Sequence, residues 1–223
     1  MNKNIYNAMG KKAKDECYTS YCEAAKLARF LIENHAFLTP FEKKIWLPFD
    51  NELSNIYKAL HDAGFKNLIL TNLEAGLDFY IHEPKEWDLI ITNPPFSDRT
   101  QLFRRLLSFK KPFVILQATQ MFNNQHAVKA ICDNGESFKF ILPRSRMNFI
   151  TFNEKENRLQ SSKSAASFYS FWLCYKTGLL KTFNSLADSG DEKKVEVYDR
   201  EGNVIKDNHR SLFTMFAICG GGL

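Results

Sequence analysis

The segment that most constrains the fold spans residues 87–96, where a run of apolar residues ends in a rigid, polar turn. Residues 89–91 are consecutive Leu, Ile and Ile, a pattern typical of a parallel strand that is buried on both faces. Asn93, Pro94 and Pro95 follow. The prolines have no N–H and fix φ at about −65°, and each also restricts the residue before it. The strand therefore ends at Asn93, and the carbonyls of Asn93 and Pro94 stay rigid and available to a ligand.

Helical and strand patterns alternate along the chain and predict an α/β fold with a mostly parallel sheet. Ser20 and Glu23 form a capping box in front of a helix expected over residues 21–35. Asp50 or Asn51 is expected to cap a second helix, which Gly64 ends. The remaining predicted elements are strands at 44–47, 67–71, 89–93, 113–117 and 137–142, a helix between Ser97 or Asp98 and residue 110, and a helix near 124–133.

The last third of the chain shows strand patterns at residues 146–152 and 167–175, which predict an antiparallel pair. Between them, residues 153–166 are rich in charge, Ser and Lys and are expected to form an exposed loop. A small hairpin is expected at 195–205 and a helical stretch at 211–218. We predict a flexible arm over residues 1–14, one domain over 15–180 and a C-terminal extension over 181–223.

The turn after the central strand suits chemistry on an amino nitrogen. The lone pair of a planar NH₂ group is delocalised into its ring, which makes the nitrogen a poor nucleophile. The Asn93 side-chain oxygen and the Pro94 carbonyl can each accept one of the two N–H bonds and favour a pyramidal nitrogen. Phe96 would stack on the ring that carries the amine. The plainer alternative is a strand that ends in a Pro-Pro turn beside a core Phe.

The run Asn93, Pro94, Pro95, Phe96 resembles the catalytic motif of S-adenosylmethionine-dependent adenine N6 DNA methyltransferases. Residues 15–20, 47–50 and 76–80 are similar to further segments of phage and bacterial members, and their order matches the γ arrangement of the family. The resemblance covers roughly residues 15–175. It implies a Rossmann-like class I methyltransferase fold, with a mostly parallel central sheet and an antiparallel hairpin at the sheet edge.

The same resemblance implies a set of residues for binding S-adenosylmethionine. Tyr18 and Thr19 would line the methionine pocket, and the first cofactor loop contains Pro48, Phe49 and Asp50. Asn72 would meet the ribose hydroxyls, Asp78 the adenine amino group, and Phe79 would pack beside the adenine ring. Two alternatives stay open, since Asp50 is equally suited to cap a helix and Phe79 to fill the core. The loop lacks the glycines of many methyltransferases, and Ser20 replaces the usual Pro.

A DNA substrate places further demands on the chain, because an adenine inside a duplex must be flipped out before it can react. Basic side chains are therefore expected near the catalytic turn, to contact phosphates or bases. Arg99, Arg144 and Arg146 are the candidates. Arg104 and Arg105 are expected on a solvated helix face.

Composition agrees with this interpretation without deciding it. The chain has 223 residues, which fits one α/β domain, and its formal net charge of +5 is compatible with a polyanionic partner. The five cysteines include no C-x-x-C pair and lie near no His cluster, which argues against a metal site. No apolar stretch approaches membrane-spanning length, so we expect a cytoplasmic protein. The oligomeric state stays open.

Two other functions remain alternatives on sequence grounds. The amine acceptor can be RNA adenine or a protein glutamine amide instead of DNA adenine. The second alternative is a catalytically degenerate module that binds DNA or a partner and has lost cofactor affinity. The missing glycines and the non-acidic residue Asn72 motivate this second alternative.

Overall fold

The computed structural model describes residues 18–95, 99–153, 158–162, 168–186, 197–198 and 204–206. The expected arm at 1–14, the expected helical stretch at 211–218 and Phe96 lie outside the described residues. Ser97 and Asp98, the expected start of the third helix, also lie outside them.

Four α-helices and twelve strands are present within the described residues, together with short 3-10 turns. The helices are α1 (Tyr21–Glu33), α2 (Asn55–Asp62), α3 (Arg99–Ser108) and α4 (Gln125–Asp133). The strands are β1 (Tyr18–Thr19), β2 (Ile45–Pro48), β3 (Leu68–Thr71), β4 (Leu89–Thr92), β5 (Phe113–Ala118), β6 (Phe138–Pro143), β7 (Phe149–Asn153), β8 (Arg158–Ser162), β9 (Ser170–Tyr175), β10 (Phe183–Leu186), β11 (Val197–Tyr198) and β12 (Val204–Lys206).

The protein is a mixed α/β fold built on a seven-stranded, mostly parallel sheet in the order β10-β6-β9-β5-β4-β2-β3. Strand β9 is antiparallel to both β5 and β6, and the other neighbouring strands pair in parallel. A second sheet has the order β1-β7-β8-β11-β12. The expected α/β class with a mostly parallel sheet is thereby confirmed.

Helices cover both faces of the main sheet, because its inner strands carry apolar side chains on both sides. All residues of β2, β4, β5 and β9 are buried. Helices α1 and α2 pack on one face against Leu47, Ile91 and Leu116. Helices α3 and α4 pack on the other face against residues that include Ile115 and Leu173. This double cover explains the unbroken apolar runs in the sequence.

The expected antiparallel pair at the sheet edge is wrong. Strand β9 lies inside the main sheet between β5 and β6, whereas β7 pairs with β1 and β8 in the second sheet. The reason is burial: all residues of β9, including Trp172 and Leu173, are buried, and an edge strand would leave one side open to solvent.

Three strands occur where the sequence predicted none, and the first of them is the two-residue strand β1. Strand β8 lies within residues 153–166, which were expected to form an exposed loop, and it pairs antiparallel with β7. Strand β10 falls in the segment expected as a C-terminal extension and pairs in parallel with β6. The expected hairpin at 195–205 is confirmed as β11 and β12.

The start of α2 differs from the expected cap. Ser54 is the N-cap, and its hydroxyl accepts a hydrogen bond from the Ile56 N–H at 3.2 Å. Asn51 instead accepts from the Leu53 N–H at 2.9 Å in the preceding turn. Asp50 lies four residues before Ser54, and its carboxylate oxygens accept hydrogen bonds from the hydroxyls of Ser54 and Thr92. Residues 50–54 therefore form a loop that leaves the Asp50 side chain free of helix capping.

Candidate functional site at the carboxyl ends of the parallel strands

The strand order reverses direction at the boundary between β2 and β4. Strand β3 follows β2 on one side, and β5 follows β4 on the other. In doubly wound sheets a ligand crevice forms at such a switch point, outside the carboxyl ends of the strands. Here these ends are Pro48 of β2 and Thr92 of β4, which immediately precede Phe49 and Asn93. Two segments singled out in the sequence therefore begin side by side.

Thr92 joins the two segments. Its buried hydroxyl lies 2.7 Å from the Pro48 carbonyl oxygen and 2.9 Å from Asp50 Oδ2. A hydroxyl has one hydrogen to donate, so it serves one of these oxygens at a time. A protonated Asp50 that donates to Thr92, while Thr92 donates to Pro48, satisfies every group in the chain of contacts.

Asp50 is a buried carboxyl group, with 9% of its surface exposed. Desolvation raises the pKa of Asp50 from 3.8 to about 6, while hydrogen bonds from Ser54 and Thr92 act in the opposite direction. Burial wins because no cationic side chain is among the causes of the shift. The site thus holds a carboxyl group whose charge responds to a cation placed beside it.

Phe49 supplies the conformation for which glycine is usually chosen. Its φ is 81°, in the left-handed region that bulky residues rarely adopt. Its N–H donates to the Thr71 carbonyl at 2.7 Å, and its ring centroid lies 5.0 Å from that of Phe79. Backbone pairing and ring packing hold the strained turn in place. The missing glycines therefore do not prevent the chain from turning sharply after β2.

Asn72 and Asp78 already bond to the protein. Asn72 Oδ1 accepts from the Ala75 N–H at 2.8 Å, and its Nδ2 donates to the Asp50 carbonyl at 3.1 Å. Asp78 Oδ1 accepts from the Tyr80 N–H at 2.9 Å. Phe79 is 2% exposed and packs against Trp46 in the core. These residues line the ends of β2 and β3, and their ligand roles stay predictions.

The turn at Asn93 and the N-terminal segment lie beside this loop. Asn93 is half-buried, Pro94 is buried and Pro95 is exposed. Tyr18 is partly exposed, whereas Thr19 is buried. The Thr19 carbonyl accepts from Asn55 Nδ2 at 3.1 Å, which ties β1 to the start of α2. The Thr19 hydroxyl has no hydrogen-bond partner within the described residues.

The three candidate arginines follow strands that end at this same edge. Arg99 opens α3 and is half-buried. Arg144 follows β6, is exposed, and donates from Nε to the Ser185 hydroxyl at 2.9 Å. The Arg146 guanidinium lies 5.6 Å from the centroid of the Tyr169 ring. The topology therefore brings all three to the carboxyl edge, and their contacts with a substrate stay predictions.

Arg104 and Arg105 differ from each other. Arg104 is exposed, as expected, but the prediction for Arg105 is wrong. Arg105 is half-buried, donates to the carbonyls of Phe79 and His82 at 3.3 and 3.2 Å, and lies 4.5 Å above the Phe109 ring. Helix α3 turns this side chain toward the loop after β3, where the two carbonyls need donors.

Three residues that shape the site escaped the sequence analysis. They are Ser54, Thr92 and Gln117. Gln117 lies near the carboxyl end of β5, is 1% exposed, and neither atom of its side-chain amide has a hydrogen-bond partner among the residues described. A polar residue inside an apolar run is the signal that both Thr92 and Gln117 give in the sequence.

Similarity to known proteins is found among solved structures. No protein-family model matches this sequence. No curated protein matches it either. Among solved structures, the chain is similar to the methyltransferase subunit of a type I restriction-modification system from Streptococcus thermophilus, with 13% sequence identity and a TM-score of 0.42. The match covers 96% of this chain and 55% of that subunit, so the chain spans about half of the subunit's length.

The described part of the chain contains neither a metal-ligand cluster nor a membrane-spanning helix. No cluster of three or more His, Cys, Asp or Glu side chains there is arranged to hold a metal ion. No helix in that part is both long and apolar enough to cross a membrane.

Proposed function

We propose that this protein transfers a methyl group from S-adenosylmethionine to the exocyclic N6 amino group of adenine in DNA, on a Rossmann-like class I methyltransferase fold. One observation carries the proposal: the turn containing Asn93 and Pro94 lies at a switch point of the sheet, joined by Thr92 to a loop with a buried carboxyl group. The first element suits an amine, and the second suits a cationic ligand.

The residues at the ends of β2 and β3 fit the cofactor in part. The buried Asp50 carboxyl suits the ammonium of a methionine moiety, and the buried Thr19 hydroxyl is available for a polar contact. Asn72 fits less well as a ribose ligand, because both ends of its amide bond to the protein. Bound cofactor would supply an electrophilic methyl group carried on a sulfonium.

Asn93 and Pro94 prepare the amine. The Asn93 side-chain oxygen and the Pro94 carbonyl each accept one N–H of the adenine amino group, which concentrates the nitrogen lone pair on its free side. Pro94 is buried and has a fixed φ, and Pro95 after it restricts its ψ, so the direction of the Pro94 carbonyl is set before the substrate arrives. Phe96 would supply the stacking surface for the base.

Labelled S-adenosylmethionine and unmethylated DNA test the proposal. Wild-type protein should incorporate label, and nucleoside analysis by mass spectrometry should identify N6-methyladenine. Asn93→Ala should abolish incorporation, while Asn184→Ala should retain it. Asn184 is the matched control because it makes hydrogen bonds on β10 at the far edge of the sheet.

RNA and glutamine-containing peptides serve as competing acceptors in the same assay. Label in either of them, with none in DNA, would assign the chemistry to a different amine. Incorporation that is unchanged by Asn93→Ala would contradict the role of the turn.

One observation favours a second candidate, a degenerate module without catalysis. The commitment of the Asn72 amide to Asp50 and Ala75 removes a site where the cofactor ribose is expected to bind. Calorimetry with S-adenosylhomocysteine separates the candidates. Saturable binding that releases protons near pH 6 supports the enzyme, because an ammonium group beside Asp50 favours the carboxylate. The Asp50→Asn variant should then bind without releasing protons. Undetectable binding supports the module.

A further inference from the structure

A second polar group lies at the carboxyl edge, on the other side of the catalytic turn from the Asp50 loop. Strand β4 lies between β2 and β5 in the sheet. Thr92 of β4 is aligned with Ile115 of the neighbouring strand β5. Continued in the same register, Gln117 lies one residue beyond the level of Asn93. The turn therefore stands between a cofactor-type carboxyl group and a buried amide.

The buried Gln117 side chain lowers the stability of the unliganded protein. Its residue is 1% exposed, and both its Oε1 and its Nε2 are buried without a hydrogen-bond partner in the described part of the chain. Buried polar groups are otherwise almost always paired, because desolvation is not repaid without a partner. A buried amide without a partner points to a ligand that can form a hydrogen bond with it.

The surroundings of Gln117 suit a flat aromatic ligand. Gln117 is the cross-strand neighbour of Phe171, which shares its face of the sheet. The Phe122 ring stacks on Phe171 at 5.7 Å with an interplanar angle of 13°, and Phe122 remains 49% exposed. A half-exposed ring that stacks on the cross-strand neighbour of the amide supplies a stacking surface on the same face of the sheet.

Charge at the same edge suits a nucleic acid. Strand β6 is parallel to β5 through β9, so β6 also ends at the carboxyl edge. Arg144 and Arg146 follow it, and the Arg144 side chain is exposed. A strand of nucleic acid that crosses this edge would meet basic side chains after it passes the amide.

We propose that Gln117 reads the ring edge of the target base, its Nε2 donating to a ring-nitrogen acceptor of adenine. The inference rests on the proposed function and extends it, by naming the residue that selects the base. Donation from a primary amide to adenine N7 is part of the usual contact by which Asn and Gln recognise adenine in DNA. The acceptor is N1 or N7, since both flank the amino group, and the test distinguishes them.

Binding of single-stranded oligomers tests the proposal without knowledge of a target sequence. Oligomers of deoxyadenosine, 7-deazadeoxyadenosine and 1-deazadeoxyadenosine are titrated by fluorescence anisotropy with sinefungin present. Wild-type protein should bind the deoxyadenosine oligomer about tenfold more tightly than one of the two deaza oligomers, which identifies the acceptor. Gln117→Leu, of nearly equal volume, should bind all three alike.

Ser170→Ala is the matched control. The Ser170 hydroxyl is also buried without a partner within the described residues, but Ser170 is aligned with Ala118 and lies on the opposite face of the sheet. This variant should keep the wild-type preference. The sinefungin affinity of Gln117→Leu should match the wild type, and its thermal unfolding should be cooperative at a temperature no lower than that of the wild type. Gln117→Met replaces it if the leucine variant does not fold.

The outcomes separate this inference from the proposed function. A wild type without preference among the oligomers, or a Gln117→Leu variant that keeps the preference, overturns the inference. Loss of sinefungin affinity in Gln117→Leu also overturns it, because the amide would then belong to the cofactor. A wild type that transfers no methyl group but shows the Gln117-dependent preference refutes the proposed function and retains the base-reading site.

Discussion

The ends of β2 and β4 and the end of β5 belong to the same edge of one sheet, yet their buried polar groups are in opposite states. Around Asp50, the polar groups form hydrogen bonds with one another. The hydroxyls of Ser54 and Thr92 lie within hydrogen-bond distance of the Asp50 carboxyl group, and the Asn72 amide donates to the Asp50 carbonyl. At Gln117, a complete amide is buried without a partner in the described part of the chain. In the first region the protein itself supplies the hydrogen-bond partners. In the second region the described residues leave them to a ligand.

The largest expected effect concerns the pH dependence that Asp50 imposes. Its pKa is raised from 3.8 to about 6, so between these values the folded protein holds a proton that the unfolded chain has released. Stability from this group is therefore present at low pH and is lost as pH rises from about 4 to about 6, by roughly 3 kcal/mol. Urea unfolding across this range measures the loss.

Asp50→Asn is the control for that measurement, since it removes the titrating group. The variant should lose this part of the pH slope. An unchanged slope would assign the pH dependence to other groups and break the contrast between the two regions.

Thr92→Val should have the next largest effect. It keeps the shape of the side chain but removes the hydroxyl that joins the Pro48 carbonyl to Asp50. We expect a loss of about 2 kcal/mol in the free energy of unfolding, because buried oxygens lose their donor. Thr177→Val should change stability by less than about 0.5 kcal/mol, since its hydroxyl has no partner within the described residues. Equal losses in the two variants would show that the bridge adds nothing.

Gln117→Leu should change stability in the other direction. Removing an amide that is buried without partners should raise the free energy of unfolding by about 1 kcal/mol in the absence of ligands. Chemical denaturation of the unliganded protein measures the change. A destabilised variant would indicate that the amide already has partners, and the contrast with the Asp50 region would disappear.

Ser170→Ala should have the smallest effect. A single hydroxyl at the start of β9 carries less polar surface than an amide, and we expect a change within about 0.5 kcal/mol in the same assay. A gain as large as that of Gln117→Leu would mean that any unpartnered group at this edge behaves alike, whichever face of the sheet it occupies.

The elements of the main sheet were largely predictable, because burial on both faces produces apolar runs that are visible in sequence. Strands β2 to β6 and helices α1 and α4 lie close to their expected positions. The position of β9 was not predictable in the same way. Its pattern identifies a strand, but pairing with β5 and β6 depends on contacts between residues far apart in the chain.

The sequence predicted which segments form the site, but it predicted their hydrogen bonds less well. Asp50, Asn51 and Ser54 are all good helix caps, and the left-handed turn at Phe49 decides which of them faces the helix. No local sequence pattern predicts a Phe with a positive φ at this position. Likewise, the sequence displays Gln117 inside an apolar run, but the absence of a partner within the described residues is a property of the assembled sheet.

The place of β9 has a consequence for how the protein is made. The ribosome delivers β5 and β6 well before residues 170–175, which hydrogen-bond to both. Until that late segment emerges, the nascent chain carries β5 with one side of its backbone open to mispairing. Completion of the sheet, and of the edge that holds Gln117, therefore waits until residues 170–175 have been synthesised.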